Sequence, residues 1–188
     1  MVDPDTRLML DFVHGDPAAF PALVRRNQDM IFKLAYRYLS DHAEAEDVAQ
    51  EVFLKVHGAV GAYQPTAKFG TWVYRITVNL CLNRLRANRL RRSVSLESGG
   101  EGEEFSVDPA APTGEAASGR LEREEFERKV REAMADLPDS QRTAVLLRRF
   151  DELSYEEIAE VMDTSIPAVK SLLARARQSL KSRLTRYL

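Results

Sequence analysis

Residues Glu97 to Gly119 constrain this chain most, because they divide it and so demand two small cores rather than one. The segment is rich in Gly, Pro and Ser, and its six charges (Glu97, Glu101, Glu103, Glu104, Asp108, Glu115) are all acidic. Such a stretch buries too little apolar surface to offset the entropy lost on ordering it. It reads as a flexible acidic linker, residues 97–119, between an N-terminal domain at 1–96 and a C-terminal domain at 120–188. With 188 residues and 44% hydrophobic content, each flank has enough apolar material for its own core.

Both flanks read as helix, so the expected fold class is all-α. Asp16 is placed to cap a helix carrying Phe20, Leu23, Val24, Ile31, Leu34, Ala35 and Tyr38 at a 3.6-residue period. After Ser40 and Asp41, a second helix buries Val48, Val52 and Val56. A turn from Gly58 to Pro65 leads into a long third helix whose apolar stripe is read as Trp72, Val73, Ile76 and Leu80. Beyond the linker, Leu121, Phe126, Val130, Met134 and Leu137 form an amphipathic helix stopped by Pro138. Strand alternation with hairpin turns appears nowhere.

The formal charge is only −2, yet the charges come in blocks. From Val52 to Leu96 there is no Asp or Glu, while Lys55, Lys68, Arg75, Arg84, Arg86, Arg89, Arg91 and Arg92 share the stretch with Phe69, Trp72 and Tyr74. Cations neutralise phosphates, rings stack on unpaired bases and amides read base edges, so this composition suits melted nucleic acid. A solvated basic helix face would look similar. Within the stretch Arg75, Asn79, Asn83 and Arg86 recur at offsets of four, four and three, which puts them on one helix face. That face is read as lying opposite Trp72, Ile76 and Leu80. The second helix carries Asp47, Gln50, Glu51, Leu54 and Lys55 away from its valines. Its acids exclude DNA contact and leave plain solvent surface or a protein-docking face.

The second acid-free run, from Thr164 onward, holds Lys170, Arg175, Arg177, Lys181, Arg183 and Arg186. Just before it, Ser154 and Glu157 have capping-box spacing at the head of a short helix with Ile158, Ala159, Val161 and Met162. A break at Asp163–Thr164–Ser165 precedes a helix with Pro167 in its first turn, where the missing amide costs nothing. Its inward residues are Ile166, Val169, Leu173, Ala176 and Leu180. A short helix, a tight turn and a basic second helix form a helix-turn-helix, with Ala168, Lys170, Ser171, Arg175 and Arg177 directed at the DNA major groove.

Cys81 stands alone among apolar residues, and His14, His42 and His57 share no ligand spacing with it, so neither disulfide framework nor metal site is expected. No nucleophile–base pair or phosphate-binding Gly loop points to an enzyme, and no cofactor is expected. The N-terminus lacks a signal-peptide pattern and no apolar run nears eighteen residues, so a cytoplasmic protein without membrane insertion is expected.

Taken together the motifs resemble the extracytoplasmic-function group of bacterial sigma factors. AEDVAQEVFLKVHGAV (Ala45–Val60) resembles that family's region 2.2, and KFGTWVYRITVNLCLNRLR (Lys68–Arg86) resembles regions 2.3 and 2.4. Leu137–Leu184 resembles region 4. The resemblance implies that Asp47, Gln50, Glu51, Leu54 and Lys55 dock on core RNA polymerase at the β′ clamp helices. It implies that Lys68, Arg75, Asn79, Asn83 and Arg86 melt and read the −10 element, with Asn79 matching the base-capture position. Region 4 would read the −35 element and meet the β flap. A dedicated anti-sigma factor is also implied. In this group a short loop pocket replaces the housekeeping group's aromatic wedge, so Trp72 would serve as core or as a wall at the duplex edge rather than as the melting wedge. Where many relatives have Gly-Thr and a further cation in the recognition helix, this chain has Pro167–Ala168 and Leu172. A stand-alone helix-turn-helix regulator is the competing reading. It would need a dimer interface and leaves the faces around Asp47 and Asn79 unexplained.

Overall fold

Asp3 and Pro4 start a helix that periodicity alone did not predict, α1 (Pro4–Val13). The Asp3 carboxylate accepts the Thr6 amide at 3.0 Å, and Pro4 occupies the first turn, where no amide is needed. The computed structural model describes residues 3–65, 67–97 and 117–185. It divides into two units, Met1–Val107 and Asp108–Leu188. All regular structure among the described residues is helical.

In the first unit α2 (Ala19–Leu39), α3 (His42–Gly58) and α4 (Phe69–Glu97) pack with α1 around one core. Asp16 accepts the amide of Ala18 at 2.9 Å, which tightens the turn before α2; Ala18, not Asp16, holds the N-cap position. Gly15, at φ +96°, makes the reversal between α1 and α2 that a side chain would resist. Asp5 ties the two helices, accepting from Arg26 Nε and from the buried Asn27 side chain at 3.3 Å. Ser40 in the left-handed region ends α2, and Asp41 caps α3 by accepting the Glu44 amide at 2.8 Å. Val48, Val52 and Val56 are fully buried, as the spacing requires. A 3-10 turn, Val60–Ala62, follows.

The inward stripe of α4 differs from the expected one. Phe69, Val73, Thr77, Leu80 and Cys81 are buried, whereas Trp72 and Ile76 are only half-buried. Thr77 fits inside because its hydroxyl donates to the Val73 carbonyl at 2.8 Å, leaving a methyl to pack. The head of α4 is fixed from a distance: the Phe69 amide donates to the buried Thr6 hydroxyl of α1 at 3.0 Å, and that hydroxyl donates to Asp3. A residue 63 positions away thus satisfies an otherwise orphaned first-turn amide.

The second unit holds α5 (Ala117–Ala135), α6 (Asp139–Arg149), α7 (Tyr155–Val161) and α8 (Ile166–Leu184). Leu137, Ala144, Leu146, Leu147, Ile158, Val161, Val169 and Ala176 form its core. Phe126 is an exposed position rather than a core one, Val130 and Met134 are half-buried, and the Leu121 side chain lies outside the described residues. Ile166, Leu173 and Leu180 are likewise half-buried, not fully enclosed. Helix reaches into both ends of the expected linker, to Glu97 and from Ala117; residues 98–116 lie outside the described residues.

Candidate protein-docking and nucleic-acid interfaces

Burying Val48, Val52 and Val56 turns Asp47, Gln50, Glu51, Leu54 and Lys55 outward on α3. Leu54 is 72% exposed and gives this otherwise polar face one apolar side chain. The acids beside it are not equivalent. Glu51 lies 3.8 Å from Lys55 on its own helix and 3.7 Å from Arg84 of α4. Asp47 reaches Arg84 at 4.0 Å, and its side chain remains 63% exposed. Arg84 was legible only as one of eight cations in the acid-free run. It continues the inward stripe of α4, one turn past Leu80, and so faces α3. One turn further, Asn88 donates to both Glu44 carboxylate oxygens, at 3.0 and 3.2 Å. Apolar packing therefore gives way to a polar seam between α3 and α4.

Lys68, Arg75, Asn79, Asn83 and Arg86 are all exposed, and the last four share the outer face of α4. Trp72 does not stand opposite them. It lies three, seven and eleven residues before Arg75, Asn79 and Asn83, which is their own side of the helix. Its ring is held by Tyr63 at 5.2 Å and Phe69 at 5.8 Å between centroids, so the polar face is bordered by a fixed aromatic wall. Trp72 is thus half in the core and half at the border of that face. Such a face, with cations about two amides and an indole at its border, can hold phosphates, read base edges and stack a ring.

The helix-turn-helix of the second unit is built by its caps. Ser154 accepts the Glu157 amide at 3.1 Å and Glu157 accepts the Ser154 amide at 3.0 Å, completing the expected capping box. The Glu156 carboxyl is held below its usual range, first by a hydrogen bond from its own backbone amide and next by the Ser154 hydroxyl, with Lys170 adding a favourable charge. At the other end of α7, Asp163 takes φ 51°, and the amides of Asp163 and Thr164 donate back to Glu160 and Ala159. That left-handed cap makes the turn, and buried Ala159 allows close approach. Ser165 then caps α8 by accepting the Ala168 amide at 3.3 Å.

On α8, Lys170, Arg175 and Arg177 are exposed, while Ala168 and Ser171 are half-buried. Lys170 is not splayed into solvent: its ammonium lies 5.8 Å from the centre of the Tyr155 ring, with Arg148 of α6 at 5.2 Å from the same ring. Arg148 also donates to the Leu153 carbonyl at 2.8 Å. Spacing along α8 had no means of finding Arg148, since it comes from another helix. Pro167, Ala174 and Gln178, also exposed, share the outer face with Ser171, so a narrow neutral ridge runs between flanking cations.

Among the described residues no group of His, Cys, Asp and Glu is placed to hold a metal ion, and no helix is long and apolar enough to cross a membrane. Residues 23–91 match the family described as Sigma-70 region 2, and residues 127–180 match Sigma-70, region 4. The RNA polymerase sigma-H factor of Pseudomonas aeruginosa is 37% identical over 97% of this chain and 94% of its own length. The ECF RNA polymerase sigma factor SigW of Bacillus subtilis is 33% identical over 90% of this chain and 91% of its own. ECF RNA polymerase sigma-E factor of Escherichia coli K12 is 35% identical over 90% and 88%. Two solved structures share the fold at 22% identity. They are CnrH in complex with the cytosolic domain of CnrY (TM-score 0.69, covering 98% of this chain and 99% of that one) and the sigma factor RpoE in complex with the anti-sigma factor NepR from Bartonella quintana (TM-score 0.64, 88% and 96%).

Proposed function

The chain belongs to the extracytoplasmic-function group of the sigma-70 family, a transcription-initiation factor and not an enzyme, and from that membership we propose how its faces divide the work. Core RNA polymerase is met by Asp47, Gln50, Leu54 and Lys55 on α3, with Leu54 as the apolar anchor and Asp47 as the acid most open to a partner's cation. Glu51, flanked by Lys55 at 3.8 Å and Arg84 at 3.7 Å and less exposed than Asp47, presents less of its charge outward. The complementary surface is one that offers cations to Asp47 and an apolar notch to Leu54, which the resemblance assigns to the β′ clamp helices. Region 4 meets the β flap, and the 97–119 segment, acidic like nucleic acid, follows channels that RNA later occupies.

On promoter DNA, Arg75 and Arg86 hold phosphates of the melted −10 strand while Asn79 and Asn83 read bases, with Trp72 bounding the site. Extruding a base costs a few kcal/mol, which pocket contacts must offset. Lys170, Arg175 and Arg177 fix α8 on the −35 duplex, and the narrow ridge of Ala168 and Ser171 approaches base edges. Lys170, lying over Tyr155, serves as a braced phosphate contact. The cytoplasm is the compartment this work requires, and an anti-sigma factor is the regulator the group implies. The solved relatives CnrH and RpoE, each with such a partner or a cytosolic domain seated on it, suit that reading.

The observation that carries the proposal is the placement of Asn79 and its neighbours, all exposed, on one face of a helix whose opposite stripe is buried. Run-off transcription with purified core polymerase on a genomic fragment library tests it. The chain should add discrete start sites that core alone does not produce. Ala at Asp47, Gln50 and Glu51 together should keep the fold and weaken core binding by tenfold or more, roughly the loss of one or two charged contacts. A triple variant that binds core normally rejects the docking assignment, and specific duplex binding by the chain without polymerase favours a stand-alone regulator.

A further inference from the structure

The acidic docking face of α3 is not furnished by α3 alone. Arg84 comes from α4 and places one guanidinium between Asp47 at 4.0 Å and Glu51 at 3.7 Å. Both distances exceed hydrogen-bonding range, and the Arg84 side chain is 36% exposed. So loose an arrangement does not lock the carboxylates in one orientation. It does cancel much of the charge that they present. The remaining charged groups of the seam do not undo this: Lys55 pairs with Glu51 from the far side, and Glu44 is taken up by Asn88.

We propose that Arg84 is the internal counter-ion of the docking face, setting its affinity for a cationic partner below the maximum that Asp47 and Glu51 could give. An arriving partner cation meets two acids and, besides Lys55 on α3 itself, the like charge of Arg84. Its attraction to the acids is reduced by repulsion from Arg84 a few ångströms away. Arg84 also stands on the helix whose opposite side is read as contacting −10 DNA, so one helix carries both the reader and the regulator of docking. This inference rests on the assignment of α3 as the core-binding face.

The test is equilibrium binding of the full chain to purified core RNA polymerase, without DNA, across a range of salt concentrations. Arg84→Ala should bind roughly three- to tenfold tighter at low salt, the size of one like charge removed near a partly exposed contact, and should show a steeper loss as salt rises. Arg84→Gln, which keeps a polar stem of similar length, guards against a packing defect in the Ala variant and should tighten binding likewise. Arg84→Lys keeps the charge and should bind as the unchanged chain does. Weaker or unaltered binding by Arg84→Ala and Arg84→Gln overturns the proposal. A separate variant, Asp47→Ala with Leu54→Ala, keeps the two ideas apart. If it leaves core binding intact the docking assignment itself fails, and if it weakens binding while the Arg84 variants do not tighten it, only the counter-ion role fails.

Discussion

Helices α4 and α8 are both long, both basic on their outer side and both packed on three neighbours, yet they are held by different means. α4 drives Phe69, Val73, Thr77 and Cys81 to complete burial. α8 fully encloses only Val169 and Ala176, and its larger apolar residues Leu172, Leu173 and Leu180 stay half-exposed. Its orientation depends instead on the capping box at Ser154, the left-handed cap at Asp163 and the Ser165 cap. A deep core makes α4 a rigid support for the base reading proposed for its outer face. Capped turns make α8 a helix whose angle is set by local backbone geometry.

The largest expected effect strikes the deep core. Phe69→Ala should cost about 3–5 kcal/mol, since it removes a fully enclosed ring and leaves a cavity between helices. Val169→Ala in α8 should cost about 2 kcal/mol, for two carbons and a smaller void. Thermal and urea unfolding of the two variants would break the comparison if the α8 change proved the more damaging.

Asn79→Ala comes next. The residue is exposed, so stability should change by less than about 0.5 kcal/mol, while discrimination at one −10 position should fall by about 1–3 kcal/mol. Permanganate footprinting and transcription from promoters varied at each −10 base read this directly. A premelted bubble should rescue part of the defect, because it supplies melting but not base reading. Unchanged base preference would move the pocket away from Asn79.

How far these elements were readable from sequence follows from their physics. The valine stripe of α3 and the Ser154–Glu157 box are local, and both are where spacing puts them. The outward set on α4 was legible for the same reason. The inward stripe was misread because Trp72 and Ile76 look more apolar than Thr77, although Thr77 is the residue fully inside. Hydrophobicity alone missed that a hydroxyl satisfied by its own helix packs as a methyl. α1 carries a local signal, Asp3 followed by Pro4, but its purpose is remote: Thr6 completes the head of α4 across 63 residues. Arg84, Asn88 and Arg148 gain their roles from neighbouring helices, and no spacing within one helix reveals that.

Ser154→Ala should remove one half of the capping box and cost about 1 kcal/mol. If capping orients α8, the variant should also weaken binding to −35 duplex in the holoenzyme although Ser154 belongs to the helix before the reader. Hydrogen exchange over residues 154–170 would sharpen the point, with faster exchange confined to α7 and the first turns of α8. A variant that loosens the whole second unit uniformly would instead assign the cap a purely global role.

The smallest effect is expected at Tyr63, beside the aromatic wall. Its ring packs on Trp72, but its buried hydroxyl makes no well-formed hydrogen bond, the Thr6 hydroxyl offering only a weak one. Burial raises the phenol's pKa above the usual value, the nearby Thr6 hydroxyl pulling it down by less. Tyr63→Phe removes a polar group that lost its water on folding, and should raise stability by about 0.5–1 kcal/mol. The sign at alkaline pH follows from the same shift. With the folded pKa above the unfolded one, the neutral phenol is favoured in the fold, and its contribution is complete below the unfolded pKa of about 10. As pH rises through the folded value that contribution is lost. Phenylalanine does not titrate, so the melting temperature of the variant should exceed that of the parent at neutral pH and by a wider margin above about pH 10. A lower melting temperature at neutral pH would show that the hydroxyl has a partner and helps hold the wall of Trp72 in place.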